Sequence, residues 1–172
     1  LPATQFEQPL FESNADEYFG AALAAGDFNG DGFDDLAVGI AADQPQSHGA
    51  VRVYFGAAGG LQSAGGEFLQ ESDAGQPELV CGYAQFGWSL AAGNFDADAY
   101  SDLAIGAYGG CEQIGDALVA GGSVFVAHGT AVGLLPFLGY RMSQHSFGFD
   151  PVEAGDHFGG AVAAGDFDAD GF

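Results

Sequence analysis

Oxygen-bearing side chains recur at every second position of two acidic segments, DFNGDGFDD at 27–35 (loop one) and NFDADAYSD at 94–102 (loop two). Oxygens at positions 1, 3, 5 and 9, with a backbone carbonyl at position 7, can wrap a hard cation that needs six or more oxygen ligands. This donor set favours Ca²⁺, because Mg²⁺ takes fewer protein ligands and keeps more water. The predicted ligands are Asp27, Asn29, Asp31, the Phe33 carbonyl and Asp35 in loop one, and Asn94, Asp96, Asp98, the Tyr100 carbonyl and Asp102 in loop two.

The loops differ at positions that affect ion binding. Gly32 at position 6 of loop one permits a left-handed turn, whereas loop two has Ala99 there and Asn94 in place of the first aspartate. We therefore expect strain at Ala99 and weaker Ca²⁺ binding by loop two. Solvated acidic turns without metal are the alternative for every loop. A third copy (loop three), expected to be partly ligated or empty, offers Asp166, Asp168 and Asp170.

The same spacing opens an EF-hand, so that alternative needs a test. An EF-hand requires a bidentate glutamate at position 12 of the loop. Position 12 of loop one is Val38, inside the apolar β-type run DLAVGIA. Loop one is therefore predicted to join two strands.

Each loop belongs to a longer repeat that begins with Phe-Gly, at Phe19, Phe86 and Phe158. Short β-type runs alternate with turn residues, and no periodic run is long enough for an amphipathic helix, which favours an all-β fold. Four strands, A to D, are predicted in each repeat. They lie at about 19–25, 36–40, 50–55 and 67–71 in the first repeat and about 86–92, 103–107, 123–128 and 138–143 in the second, with a third strand A at about 158–164.

Four antiparallel strands in a repeat of this size predict one blade of a β-propeller, with a sandwich of similar hairpins as the alternative. Residues 1–18 are predicted to be the outer strand of a preceding blade. Two blades follow at 19–85 and 86–157, and a third begins at 158–172. The chain is thus predicted to be an incomplete propeller or a fragment, with further blades from the same or another chain.

The charge balance limits the class of partner. The chain has 24 acidic residues against two basic ones, Arg52 and Arg141, and a net charge of −22. Such a charge disfavours binding to nucleic acid and to anionic membrane surfaces, and no apolar run is long enough to cross a membrane. Bound cations would relieve the repulsion within the loops, whereas solubility or life at high salt is the alternative reason for the acidity.

The chain starts without Met or a basic leader, as expected of a processed secreted protein or a trimmed fragment.

The Phe-Gly start, the DxNxDGxxDL loop and the strand Gly-Ala-Val-x-Val-Tyr-Phe-Gly at 49–56 together resemble FG-GAP repeats, the blades of the integrin α-subunit propeller. The resemblance covers nearly the whole chain. It implies calcium ligands at the loop positions named above and a secreted, extracellular or periplasmic location. It also implies that a protein or glycan binds through variable loops on the face opposite the calcium loops. The candidate segments there are 41–48, 71–85, 108–121 and 143–157.

In such blades the D–A and B–C connections meet on that opposite face. Cys81 lies in the first kind of connection and Cys111 in the second, which predicts a Cys81–Cys111 disulfide, with two free thiols as the alternative. Trp88 is predicted to pack within its blade, with a sugar-binding platform as the alternative. The histidines, including His128, show no metal-binding spacing and are expected to be solvated or structural.

No catalytic motif accompanies the loops, and their carboxylates are already assigned to metal. The sequence therefore predicts a secreted, calcium-binding, non-catalytic scaffold for adhesion or protein interaction. A lectin with sugar pockets between blades is one alternative. An accessory domain of a larger secreted enzyme is the other.

Overall fold

The computed structural model describes residues 17–42, 48–74, 83–135, 139–148 and 151–169 of the 172-residue chain. Blade one contains β1 (Glu17–Gly26), β2 (Asp35–Ala42), β3 (Ala50–Tyr54) and β4 (Phe68–Leu69). Blade two contains β5 (Phe86–Gly93) and β6 (Asp102–Ala107), then, after a separate hairpin of β7 (Glu112–Ile114) and β8 (Ala117–Val119), β9 (Ser123–Ala127) and β10 (Arg141–Met142). Short 3-10 turns occupy Glu71–Ala74 and Gln144–Phe147. Within the described ranges no helix is both long and apolar enough to cross a membrane.

Both blades have four antiparallel strands in the same order, which confirms an all-β fold built from propeller blades. The predicted strands A to D are present in both, although strand D has only two residues in each. β1 begins at Glu17, before the predicted boundary of the first blade at residue 19. The rest of the predicted preceding strand lies outside the described residues, and the division of the chain into blades stays a prediction.

The core lies between the two blades and is made of side chains that alternate along the strands. Val51 and Val53 of β3 are fully buried, as are Leu103 and Ile105 of β6. Phe86 of β5 meets Phe125 edge-on, with ring centroids 5.3 Å apart. Because burial of each large apolar side chain contributes roughly 1.5–3 kcal/mol, this shared core joins the two blades into one unit.

The Phe-Gly motif forms a close contact between consecutive repeats. The Phe86 N–H donates to the His48 carbonyl at 2.8 Å, and Phe86 bridges Gly49. Phe158 repeats both contacts on Gly121 and Gly122. Gly49 is required because a Cβ there would overlap the carbonyl oxygen of Phe86. The repeated motif therefore encodes the junction between blades.

The structure corrects two expectations. Residues 158–164 form no strand, so the predicted third strand A is wrong. In blades one and two strand A pairs with strand B beyond the acidic loop, and residues 151–169 contain no such partner. The connection between β6 and β9 was expected to be a loop but contains the β7–β8 hairpin, whose turn includes left-handed Gly115.

A buried carboxyl, Glu71, and a half-buried guanidinium, Arg141, interact electrostatically at the junction of the blades. Glu71, from the 3-10 turn after β4, is 4 % exposed, and burial raises its pKa from 4.5 to about 7, against the lowering effect of the Arg141 charge. Burial likewise lowers the pKa of Arg141, against the charges of Glu71 and Glu112. Arg141 also donates to the Cys111 carbonyl and lies over the Phe125 ring, 5.6 Å from its centroid. The free-energy cost of removing these two charges from water opposes the gain from their mutual attraction.

Glu71 should make the stability of the fold depend on pH. The folded state holds the Glu71 proton more tightly than the unfolded chain does. The stabilisation is therefore complete below pH 4.5 and lost as the pH rises through about 7. Across this pH range the unfolding free energy of the parent should fall by about 3 kcal/mol, whereas that of Glu71→Gln should not.

Urea unfolding at several pH values would measure this difference. The control is Glu153→Gln, which makes the same change at an exposed residue and should keep the parental pH dependence. Identical pH profiles for the parent and Glu71→Gln would refute the assignment.

Candidate metal centre

Loop one connects β1 to β2 and is folded by hydrogen bonds between its own side chains and backbone. The Asp27 carboxylate accepts the N–H groups of Asp31 at 3.1 Å and Gly32 at 2.9 Å. The Asn29 side-chain oxygen also accepts the Asp31 N–H, and the Asp31 carboxylate accepts the N–H of Phe33, both at 2.9 Å. The side chains at positions 1, 3 and 5 thus hold the backbone of the loop in a single tight turn.

Asp35, at position 9, ties loop one to the sheet. Its side chain is buried and accepts two backbone N–H groups, from Phe28 at 3.0 Å and from Gly56 at 2.8 Å. Burial raises the pKa of Asp35; these two hydrogen bonds oppose the rise, and the charges of Asp31 and Asp27 add to it. The three carboxylates are therefore close enough to repel one another, and a cation would relieve that repulsion.

Loop two, between β5 and β6, repeats this frame. Asp102 is fully buried and accepts the N–H groups of Phe95 at 2.6 Å and Gly129 at 2.9 Å. The Asp98 carboxylate accepts the Tyr100 N–H at 2.8 Å. Each blade thus holds its position-9 aspartate with one N–H from the start of the loop and one from the glycine that follows the third strand.

Among its differences from loop one, loop two has Asn94 at the first position and Ala97 at the fourth. Asn94 turns its amide nitrogen towards the Asp98 carbonyl at 2.7 Å, while its buried Oδ1 atom has no hydrogen-bond partner among the described residues. The left-handed residue is Ala97, with φ of 65°, in the place of Gly30, with φ of 71°. The expectation of strain at Ala99 is therefore wrong, because the alanine with positive φ is Ala97.

Loop one also contacts blade two. The Asp27 carbonyl accepts the Ser101 N–H at 2.9 Å, and the Phe28 carbonyl accepts the Thr130 N–H at 3.2 Å. The Phe28 side chain is fully buried in the core between the blades. The conformation of loop one is therefore coupled to the junction of the blades.

One group of described residues brings three metal-ligating side chains within 4.8 Å of one another: Asp96, Asp102 and His128. The loop-one carboxylates do not form such a group in the described part of the chain. Sequence reasoning missed His128. The signal is visible when the repeats are aligned, because His128 immediately precedes Gly129 as Phe55 precedes Gly56.

Other predicted site residues are placed only in part. Asp166 and Asp168 of loop three are exposed, and Asp170 lies outside the described residues. Cys111 is buried, but Cys81 lies outside the described residues, so their disulfide stays a prediction.

Comparison with known proteins identifies the repeats. The FG-GAP repeat family matches residues 19–55 and 86–126, which include loops one and two. The chain is an FG-GAP repeat protein. It is 33 % identical to integrin alpha-4 of Xenopus laevis over 145 residues, which is 81 % of this chain and 13 % of that protein. These matches confirm the predicted resemblance to integrin α subunits.

Two further relatives match shorter parts of the FG-GAP protein. Phosphatidylinositol-glycan-specific phospholipase D of Homo sapiens is 40 % identical over 104 residues, covering 56 % of this chain and 11 % of the relative. Integrin alpha-IIb of Homo sapiens is 40 % identical over 93 residues, covering 53 % of this chain and 8 % of the relative. The chain thus spans roughly a tenth of the length of these relatives.

Asp35→Ala tests the role of the position-9 aspartate without any metal. The substitution leaves the buried N–H groups of Phe28 and Gly56 without their acceptor. Because each unsatisfied buried donor costs about 1–3 kcal/mol, the unfolding free energy in chelator should fall by about 2 kcal/mol or more. Asp34→Ala, at the exposed neighbouring position, should change it little. Equal stability of the two variants in urea unfolding would contradict the role given to Asp35.

Proposed function

We propose that this FG-GAP protein is a calcium-binding propeller module that acts outside the cell as a non-catalytic scaffold for protein interactions. The observation that supports it most is the repeated buried aspartate, Asp35 and Asp102, each held by two N–H groups within an acidic loop. In a chain of net charge −22, such sites favour a bound cation.

The donor set of loop one fits Ca²⁺. All of its donors are oxygens, and hard cations with six or more ligands prefer carboxylate, amide and carbonyl oxygens. Loop two offers a similar set, with three carboxylates and one amide as in loop one, and loop three would be ligated in part. The proposed ligands are Asp27, Asn29, Asp31, the Phe33 carbonyl and Asp35; Asn94, Asp96, Asp98, the Tyr100 carbonyl and Asp102; and Asp166, Asp168 and Asp170.

The scaffold role follows from the contacts of loop one. Its carbonyls bond to blade two, so an ion that orders loop one also stabilises the junction. The opposite ends of the strands carry the long connections, including the β7–β8 hairpin. Ile114 and Leu118 of that hairpin are 38 % and 52 % exposed. This surface, and not the calcium loops, would meet a partner protein.

Calcium removal should destabilise the FG-GAP protein. An ion that binds only the folded state contributes about 2.7 kcal/mol at a concentration 100-fold above its Kd, so chelator should lower the melting temperature clearly. Asp31→Ala should reduce the number of bound calcium ions by one, because it removes a ligand of loop one only. Thermal melts with and without chelator, and calorimetric calcium titration, measure both effects.

Asp116→Ala provides the control, because this exposed carboxylate lies in the hairpin turn away from the loops. A melt that does not respond to chelator would sink the calcium assignment. Loss of more than one bound calcium ion per chain in Asp31→Ala would show that the loops do not bind independently.

A second candidate function, carbohydrate binding, is favoured by an aromatic group at the end of blade two opposite loop two. The Trp88 and Tyr108 rings meet edge-on at 4.8 Å, and Tyr108 meets the His157 ring at 5.0 Å. Trp88 packs there, as predicted, yet remains 37 % exposed. An exposed aromatic face held by neighbouring rings is suited to stacking on a sugar.

A glycan array distinguishes the two candidates. If the chain is a protein scaffold, the parent should bind no glycan. Glycan binding that is lost in Trp88→Ala but kept in Tyr83→Ala, a change at another exposed aromatic residue, would replace the scaffold with a lectin.

The proposal includes an oxidising location and a Cys81–Cys111 disulfide, which the burial of Cys111 supports. It assigns no catalysis to the chain, because the repeated carboxylates serve the loops. The relative named as a phospholipase D is matched over only 11 % of its length. In a protein of that kind the repeats would act as an accessory module.

A further inference from the structure

The two metal loops differ in one side chain that faces the buried aspartate. In blade one the residue before Gly56 is Phe55, and in blade two the residue before Gly129 is His128. Both glycines donate their N–H to the position-9 aspartate, at 2.8 and 2.9 Å, so the two positions are structurally equivalent. An imidazole therefore stands in blade two where blade one has a hydrocarbon ring.

The His128 Nδ1 atom lies between two carboxylates. It is 3.2 Å from an Asp96 oxygen and 3.3 Å from an Asp102 oxygen. One nitrogen carries at most one proton, so it can donate a well-aligned hydrogen bond to only one of the two carboxylates. A metal ion can bind all three atoms. Around an ion with tetrahedral bonds of about 2.0–2.1 Å, neighbouring ligand atoms lie about 3.3–3.4 Å apart.

The three ligands are held as a metal site requires. The side chains of Asp102 and His128 are 0 % and 15 % exposed, whereas that of Asp96 is 38 % exposed, so the ion would have a path from solvent. The Gly129 N–H occupies one lone pair of the Asp102 oxygen that faces His128 and leaves the other for a metal. Such outer hydrogen bonds orient metal ligands and strengthen binding.

The donor chemistry separates loop two from loop one. Imidazole nitrogen suits Zn²⁺ and similar ions, whereas Ca²⁺ takes oxygen ligands. The first ligand position of loop two is also less suited to Ca²⁺, since Asn94 stands in place of Asp27 and turns its amide nitrogen towards the Asp98 carbonyl. The buried Asn94 Oδ1 atom has no hydrogen-bond partner among the described residues, so a donor or a cation beside it would satisfy it.

We propose that loop two is a transition-metal site, with Zn²⁺ as its reference ion and Asp96, Asp102 and His128 as its protein ligands. Loop one takes Ca²⁺ alone. The proposal rests on the proposed function only in treating loop two as a metal loop, and it changes the identity of the ion bound there.

Titration of the full 172-residue chain with Co²⁺, in the presence of Ca²⁺, tests the site. Co²⁺ bound in a tetrahedral site should give visible absorption at one equivalent, and Zn²⁺ should displace it. His128→Phe, which copies blade one, should weaken Co²⁺ and Zn²⁺ binding by about 100-fold or more, because loss of a mere outer-shell partner already weakens binding about 10–100-fold. His145→Phe, at an exposed histidine outside the loop, should bind as the parent does.

Asp96→Asn is a second variant at the most exposed ligand, and it keeps the test valid if His128→Phe fails to fold. It should weaken Zn²⁺ binding at least about tenfold. Absence of Co²⁺ and Zn²⁺ binding by the folded parent, or unchanged binding in a folded His128→Phe or Asp96→Asn, would overturn the proposal. Calcium at loop one is measured separately through Asp31→Ala, so failure of the calcium proposal and failure of the zinc proposal give different results.

Discussion

A buried carboxylate in each blade is the interaction on which the local structure depends. Asp35 and Asp102 each join three pieces of chain: the start of the metal loop, the first residue of the second strand, and the glycine after the third strand. No other residue type of this size offers enough acceptor positions for two buried N–H groups and a cation together. The aspartate therefore makes the loop part of the sheet and sets where the loop ends.

The same carboxylate also carries an electrostatic penalty. A buried charge is unfavourable unless it is compensated, and in loop one the charges of Asp27 and Asp31 increase the penalty at Asp35. Hydrogen bonds offset part of this penalty, and a bound cation would offset the rest. Because the frame of N–H groups is identical in both blades, the neighbouring ring can vary without changing the fold. On the proposed zinc site, the difference between Phe55 and His128 would therefore change the metal preference of a loop whose backbone stays the same.

The sequence predicted the elements that depend on local patterns. Alternation of Val51 and Val53 is visible in the residues themselves, as is the oxygen spacing of the loops. Features that depend on pairing through space were missed. Residues 158–164 have the composition of a strand but no ladder partner in the described part of the chain, and His128 becomes a candidate ligand only when β9 lies beside loop two. Whether Ala97 or Ala99 takes the left-handed conformation depends on how the turn is built. The spacing of the oxygen ligands does not determine this.

The junction between the blades is held by different chemistry at its two ends. At the loop end, the carbonyls of Asp27 and Phe28 bond to blade two, and both residues belong to a segment whose carboxylates repel one another. At the other end, the Phe86 N–H bonds to the His48 carbonyl beside a glycine that permits close approach. Ion binding at loop one would therefore act on the loop end of the junction. The end that carries the long connections keeps its register through backbone contacts, which allows those connections to vary in sequence while the metal loops keep their shape.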